Sequence, residues 1–145
     1  MTPSFADRAE EALLARGGRR TRSRRALLEL LGGVRKPIEP GELHHELRRR
    51  GVRVDRVSVW RNVSVLVELG FLHRALGSSA VRPCAEGDQQ EAARCHHAIV
   101  CTSCGTAREF HSGAVERALR EVRKSTGYRV QGHLLELRGL CPRCD

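Results

Sequence analysis

Apolar residues in the first half of the chain recur at three- and four-residue intervals, and polar or glycine breaks separate the runs. Phe5, Ala9, Leu13 and Leu14 fall on one stripe of a helix from Pro3 to Ala15, which Gly17-Gly18 stops. Thr21 is placed to N-cap a second helix with Ala26, Leu27, Leu30 and Leu31 inward, ended by Gly32-Gly33. A third helix is predicted from about Pro40 to Arg50, burying Leu43 and Leu47. Asp55 suits the N-cap of a fourth, in which Val59, Val63, Leu66 and Leu69 keep helical spacing until Gly70. Phe71 to Ala75 and Ala80 to Arg82, around Gly77-Ser78-Ser79, then predict a small hairpin. Helices followed by a hairpin make a winged helix-turn-helix, whose fourth helix is expected to enter a DNA major groove.

Residues 85 to 94 are polar and lack periodicity, which predicts a linker. Beyond it, His96 to Val100 and Ala107 to Phe110 read as strands, Ala114 to Thr126 as a helix, and Tyr128 to Leu137 as a further strand. The expected organisation is therefore a winged helix at 1–84, a linker at 85–94 and a small α/β domain at 95–145, giving an α+β chain. At 145 residues the length accommodates two such small domains.

Charge divides along the same boundary. Residues 1–75 hold 16 Lys/Arg against 9 Asp/Glu, a net of +7 out of +9 for the chain. A basic surface of that kind attracts a polyanion, although a solvated arginine-rich surface has the same composition. Residues expected on the outward face of the fourth helix are Arg56, Ser58, Trp60, Arg61 and Asn62. Arg pairs with guanine edges or phosphates, Asn with adenine, and an exposed aromatic with a thymine methyl. The competing roles are a core position for Trp60 and plain surface charge for the arginines.

The second half carries two Cys-x-x-Cys pairs, Cys101/Cys104 and Cys141/Cys144. Each puts two sulfurs on one tight turn, and four thiolates complete the closed tetrahedral shell of a structural Zn²⁺. Gly105 follows the first pair and permits the backbone to fold back so that amide groups face the sulfurs. The 36 residues between Cys104 and Cys141 enclose a whole helix and strand, which the metal would close. A thioredoxin-like pair would open a helix after a strand, whereas Cys101 is followed by polar turn residues. Met1 to Arg16 contains acidic residues and no apolar core, so a secretory signal is not expected; a reducing cytoplasm is, and with it thiols rather than disulfides. No apolar run approaches 18 residues, so no membrane-spanning helix is expected.

The order of these parts resembles the ferric uptake regulator (Fur) superfamily of bacterial metal-sensing repressors over nearly the whole chain. The matching pieces are Thr21-Arg-Ser-Arg-Arg25, Ser58-Val-Trp-Arg-Asn62, Gly70-Phe-Leu72, Cys95-His-His-Ala-Ile-Val-Cys-Thr-Ser-Cys-Gly105, and Gly127-Tyr128 through His133 to Cys144. The resemblance implies a homodimer, with an N-terminal winged helix and a C-terminal dimerisation domain, that represses transcription when a regulatory metal is bound. It implies a site in the dimerisation domain at Cys95, His97, Glu116 and His133, and a hinge regulatory site at His73, Cys84 and His96. Ala98 stands where the family usually supplies a ligand. A histidine that iron, nickel and peroxide sensors use before the third helix is absent from Lys36-Pro37-Ile38-Glu39. Cys84 matches the hinge thiolate of zinc-sensing members, and a mixed S/N donor set suits Zn²⁺ better than Mn²⁺ or Fe²⁺.

Zinc is thus the expected regulatory metal as well as the structural one, with a nickel-, iron- or redox-responsive regulator as the alternative within the family. Outside it stand a zinc-binding interaction module and a thiol enzyme. The sequence offers no general base beside an exposed thiolate and would leave the basic winged helix without a role, so no enzyme is expected.

Overall fold

The computed structural model describes residues 3–84, 97–130 and 133–145, divided between two compact units, Met1–Ala92 and Ala93–Asp145. In the first, α1 (Phe5–Ala15), α2 (Arg22–Gly32), α3 (Pro40–Arg49) and α4 (Arg56–Glu68) precede a hairpin of β1 (Leu72–Arg74) and β2 (Val81–Pro83). In the second, β3 (His97–Cys101), β4 (Ala107–Phe110), α5 (Gly113–Thr126) and β5 (Leu135–Gly139) follow in order.

Side-chain caps set the starts of the helices. Ser4 and Asp7 form a reciprocal capping box at α1, with Ser4 Oγ accepting from the Asp7 amide at 3.2 Å and Asp7 Oδ2 from the Ser4 amide at 3.1 Å. Thr21 Oγ1 accepts from the Arg24 amide at 3.2 Å and starts α2. Asp55 starts α4 by accepting from both the amide and the hydroxyl of Ser58, at 2.8 and 2.6 Å. At the far end of α4, Gly70 takes φ +77°. The Phe71 amide then donates back to the Leu66 carbonyl at 2.9 Å, a turn only the left-handed region permits.

That turn drives Phe71 into the core, where its ring meets Phe5 edge-on at 6.0 Å. The core joins Leu27, Leu28 and Leu31 of α2, Leu43 and Leu47 of α3, and Val59, Val63 and Leu66 of α4. Leu28 is fully buried while Ala26 and Leu30 are half-buried, so the inward stripe of α2 is rotated from the expected one because the helix packs against α1 on one side and α3 on the other. The wing is antiparallel, pairing His73 with Arg82. Ile38 adds a bridge to Val81 through two amide–carbonyl bonds of 2.9 Å, so the segment before α3 lies along the hairpin. Glu39 reinforces this junction by accepting from Ser78 Oγ at 3.0 Å and from the Ser79 hydroxyl.

The sheet of the second unit has the order β4-β3-β5, with β3 antiparallel to β4 and parallel to β5. β5 begins at Leu135, later than the strand expected from Tyr128, because its extent is fixed by parallel pairing of Leu135–Gly139 with His97–Cys101. Helix α5 is capped by Ser112 and ended by Gly127 at φ +69°. None of its residues is buried, although Val115, Leu119 and Val122 share a stripe. No described helix is long and apolar enough to cross a membrane.

Candidate metal centres and nucleic-acid interface

The four knuckle cysteines converge. Their sulfurs all lie within 4.8 Å of one another, although the two pairs are separated by the whole of β4, α5 and β5. Cys104 Sγ and Cys141 Sγ stand 3.8 Å apart, which is the edge of a tetrahedron with about 2.3 Å zinc–sulfur bonds and far too long for a disulfide of about 2.05 Å. Gly105 takes φ +73° as the turn requires. The Cys104 and Cys141 amides donate to Cys101 Sγ at 3.5 and 3.4 Å. Those two amides hold the Cys101 thiol down at about 6, which favours the thiolate. The Thr106 hydroxyl, 3.3 Å from Cys104 Sγ, lowers the Cys104 thiol too. Cys144 is pushed up to about 11, chiefly by Cys141 beside it. One sulfur stabilised and another opposed by its neighbour is what a cluster of thiolates meets when its charge must be shared. The donor set, spacing and supporting amides fit a structural Zn²⁺.

A second cluster lies within the same unit. His97 on β3 is buried, at 1% exposure. Its Nε2 is 2.9 Å from His133 Nε2 and 3.6 Å from a carboxylate oxygen of Glu116 on α5. The His97 ring also packs against Phe110 at 5.4 Å, which fixes its plane. Two imidazole nitrogens that face each other need either one proton between them or a cation. Three ligand-type atoms gathered from β3, α5 and the approach to β5 fit a transition-metal ion. Cys95, expected as a fourth member, lies outside the described residues.

His73 on β1 and Cys84 just beyond β2 are neighbours across the wing. Their ligand atoms lie within 4.8 Å of each other. Cys84 is held there by its amide, which donates to the Phe71 carbonyl at 2.8 Å, and it is buried. His96, the expected third ligand, lies outside the described residues. Ala98 is buried within β3 and offers no donor.

Helix α4 separates its residues cleanly. Val59, Val63 and Leu66 are buried, whereas Arg56, Val57, Trp60 and Arg61 are exposed. Trp60 at 41% exposure is thereby a surface residue and not a core one. Ser58 and Asn62, also expected to face DNA, are half-buried and engaged within the unit. Ser58 Oγ donates to the Asp55 carboxylate. Asn62 Nδ2 donates to the Ser58 carbonyl at 2.7 Å while its Oδ1 accepts from Arg24 Nε at 2.9 Å. Val57, at 64% exposure, is an outward residue that the apolar pattern did not mark. Its position one turn before Trp60 was the available signal.

The model of the ferric uptake regulator family matches residues 15–138. The chain belongs to that family. It is 35% identical over 133 residues to the zinc uptake regulation protein of Mycobacterium tuberculosis, a match covering 90% of this chain and 97% of the relative. The ferric uptake regulation protein of Neisseria gonorrhoeae is 28% identical over 106 residues, covering 72% and 69%. Among solved structures, the chain is similar to holo XcZur, with a TM-score of 0.78, 28% identity and coverage of 97% and 96%. A zinc uptake regulator complexed with zinc and DNA superposes with a TM-score of 0.81 at 23% identity, covering 99% and 95%, and shares the fold.

Proposed function

We infer that this member of the ferric uptake regulator family is a metal-dependent transcriptional repressor that binds operator DNA as a homodimer, with zinc as both structural and regulatory metal. The observation that carries the reading is the presence, in one chain, of an outward Arg56–Val57–Trp60–Arg61 face on a capped helix and a cysteine quartet whose sulfurs lie within 4.8 Å of one another. A basic helix of that form docks in a major groove, its N-terminal residues toward the bases. The likeness to a zinc uptake regulation protein and the S/N character of the donor groups support zinc as the signal.

When bound at the four cysteines, Zn²⁺ supplies a cross-link between two turns that are distant in sequence. Cys101, Cys104, Cys141 and Cys144 are its ligands. His97, Glu116 and His133, with Cys95, are the ligands of the second site. His73 and Cys84 receive the regulatory ion. Because His73 sits in β1 and Cys84 just beyond β2, a change at this pair is passed to the wing and through Ile38 and Glu39 to α3.

Dimerisation is supported by the second unit. Val122 of α5 and Leu137 of the edge strand β5 are exposed, with Tyr128 and Leu134 near them in sequence. A second copy covers such a surface at modest cost, and the pairing is self-complementary under two-fold symmetry. The chain carries out regulation rather than catalysis, and works in the reducing cytoplasm, where its thiols remain available to metal.

The test is metal-dependent DNA selection under reducing conditions. Protein loaded with buffered Zn²⁺ is expected to enrich one operator from randomised duplexes and to release it after chelation, while one zinc per chain stays bound. Enrichment by Ni²⁺ or Fe²⁺ alone overturns zinc as the signal. Enrichment that ignores metal overturns the regulatory reading.

A further inference from the structure

We propose that Val57 is a specificity-determining residue that reads the 5-methyl group of a thymine in the major groove. The inference rests on the repressor reading above, and it names a contact that reading leaves open.

At about 100° per residue, Val57, Trp60, Arg61 and Ser64 fall on one face of α4, opposite the buried Val59, Val63 and Leu66. Val57 is the second residue of the helix, at the end that enters the groove first. A larger fraction of its surface is exposed than of Trp60, 64% against 41%. A β-branched residue at an exposed helix position has no packing reason to be there and slightly lowers helix propensity.

The polar side chains beside it are otherwise occupied. Ser58 Oγ is bound to Asp55, and Asn62 is held from both sides by Arg24 and the Ser58 carbonyl. The first two turns therefore present no free amide to adenine. What they present is arginine, suited to guanine or phosphate, and a pair of apolar groups one turn apart. The base-edge group complementary to an exposed isopropyl group is the thymine methyl, the apolar feature of the major groove. Arg56 and Arg61, both exposed, flank the pair and supply the charge that draws it to DNA.

The experiment uses the full-length, zinc-loaded protein and the operator it selects. Each thymine of one half-site is replaced in turn by deoxyuridine, which lacks only the 5-methyl group. At one position the wild type is expected to lose about fourfold in affinity, the worth of one buried methyl-sized group. Val57→Ala should bind the thymine operator about fourfold more weakly and be indifferent to uracil at that position, while other positions keep their wild-type sensitivity. Val57 is exposed, so the substitution leaves the core intact, and an unchanged melting temperature verifies this. A Val57→Ala protein with the wild-type thymine-to-uracil ratio at every position overturns the assignment while leaving the repressor reading intact. A wild-type protein that selects no sequence overturns both.

Discussion

Arg24 Nε donates to Asn62 Oδ1 at 2.9 Å, joining the first turn of α2 to the middle of α4 across 38 residues of sequence. The same guanidinium donates to the Arg19 carbonyl and lies over Gly18, where an added Cβ would come within 2.9 Å of Arg24 Nη1. Asn62 in turn donates to Ser58 O, so one arginine braces both the segment before α2 and the N-terminal half of α4. A half-buried, charge-assisted bond of this kind is worth more than a neutral surface one.

Arg24→Ala and Asn62→Ala are each expected to destabilise the first unit by about 1–3 kcal/mol in urea unfolding. The double variant should cost clearly less than the sum, because both substitutions remove the same bond. Strict additivity would show that the two side chains act independently.

Much of this unit was legible in the sequence, because the signals are local. Thr21 and Asp55 cap the helices at which they were placed, and Gly70 stops α4 by a turn written in its immediate neighbours. Asn62 was not legible. Its position on α4 is as compatible with facing DNA as with facing inward, and the residue that decides, Arg24, is 38 positions away. The start of β5 escaped for the same reason, since its bounds depend on pairing with β3. Among the candidate metal clusters, the cysteine spacing marked its quartet unaided, and the four sulfurs converge, whereas Glu116 on an exposed helical surface was marked only by family resemblance.

Acid should weaken the first unit modestly through identifiable surface carboxylates, whose ion pairs are screened by solvent. Asp7 is lowered to about 2, first by the Ser4 hydroxyl and then by Arg25, and Glu46 to about 2 by Arg49 and then Arg50. Their folded values lie below those of the unfolded chain, so the stabilisation is complete above the unfolded values near 4 and is lost as pH falls toward 2. Stability measured by urea should be flat in this respect from pH 7 to 5 and then decline. In Asp7→Asn the acid slope should be shallower; an identical slope would remove Asp7 from the account.

Cys141→Ser should release the structural zinc and unfold or monomerise the second unit, since its sulfur faces Cys104 Sγ at 3.8 Å and its turn closes a 36-residue excursion. Metal analysis with sedimentation checks this. A Cys141→Ser protein that stays dimeric with undiminished zinc would refute the four-cysteine site.

His133→Ala separates the second cluster from the first. It removes the partner 2.9 Å from His97 Nε2 without touching any cysteine of the quartet. The expected protein retains one chelation-resistant zinc per chain and loses a weaker, additional metal equivalent in equilibrium titration. If wild type and His133→Ala take up the same number of ions with the same affinities, the cluster is a proton-sharing histidine pair and not a metal site.

Substituting Cys84 tests whether the metal signal enters the DNA-binding unit beside His73. The residue is buried beyond β2 with its sulfur near His73, yet it belongs to neither cysteine knuckle. A small buried residue serving only to pack predicts that Cys84→Ser loses a little stability and keeps a normal zinc response. A regulatory ligand predicts the reverse: an unchanged fold, dimer and structural zinc, with operator binding that no longer rises with buffered Zn²⁺. Serine preserves size and a weak hydrogen bond while removing the thiolate, so the two outcomes are chemically distinct. Reporting operator affinity, zinc per chain and melting temperature on the same preparation separates them, and a wild-type zinc response in Cys84→Ser would place the regulatory ligands elsewhere in the chain.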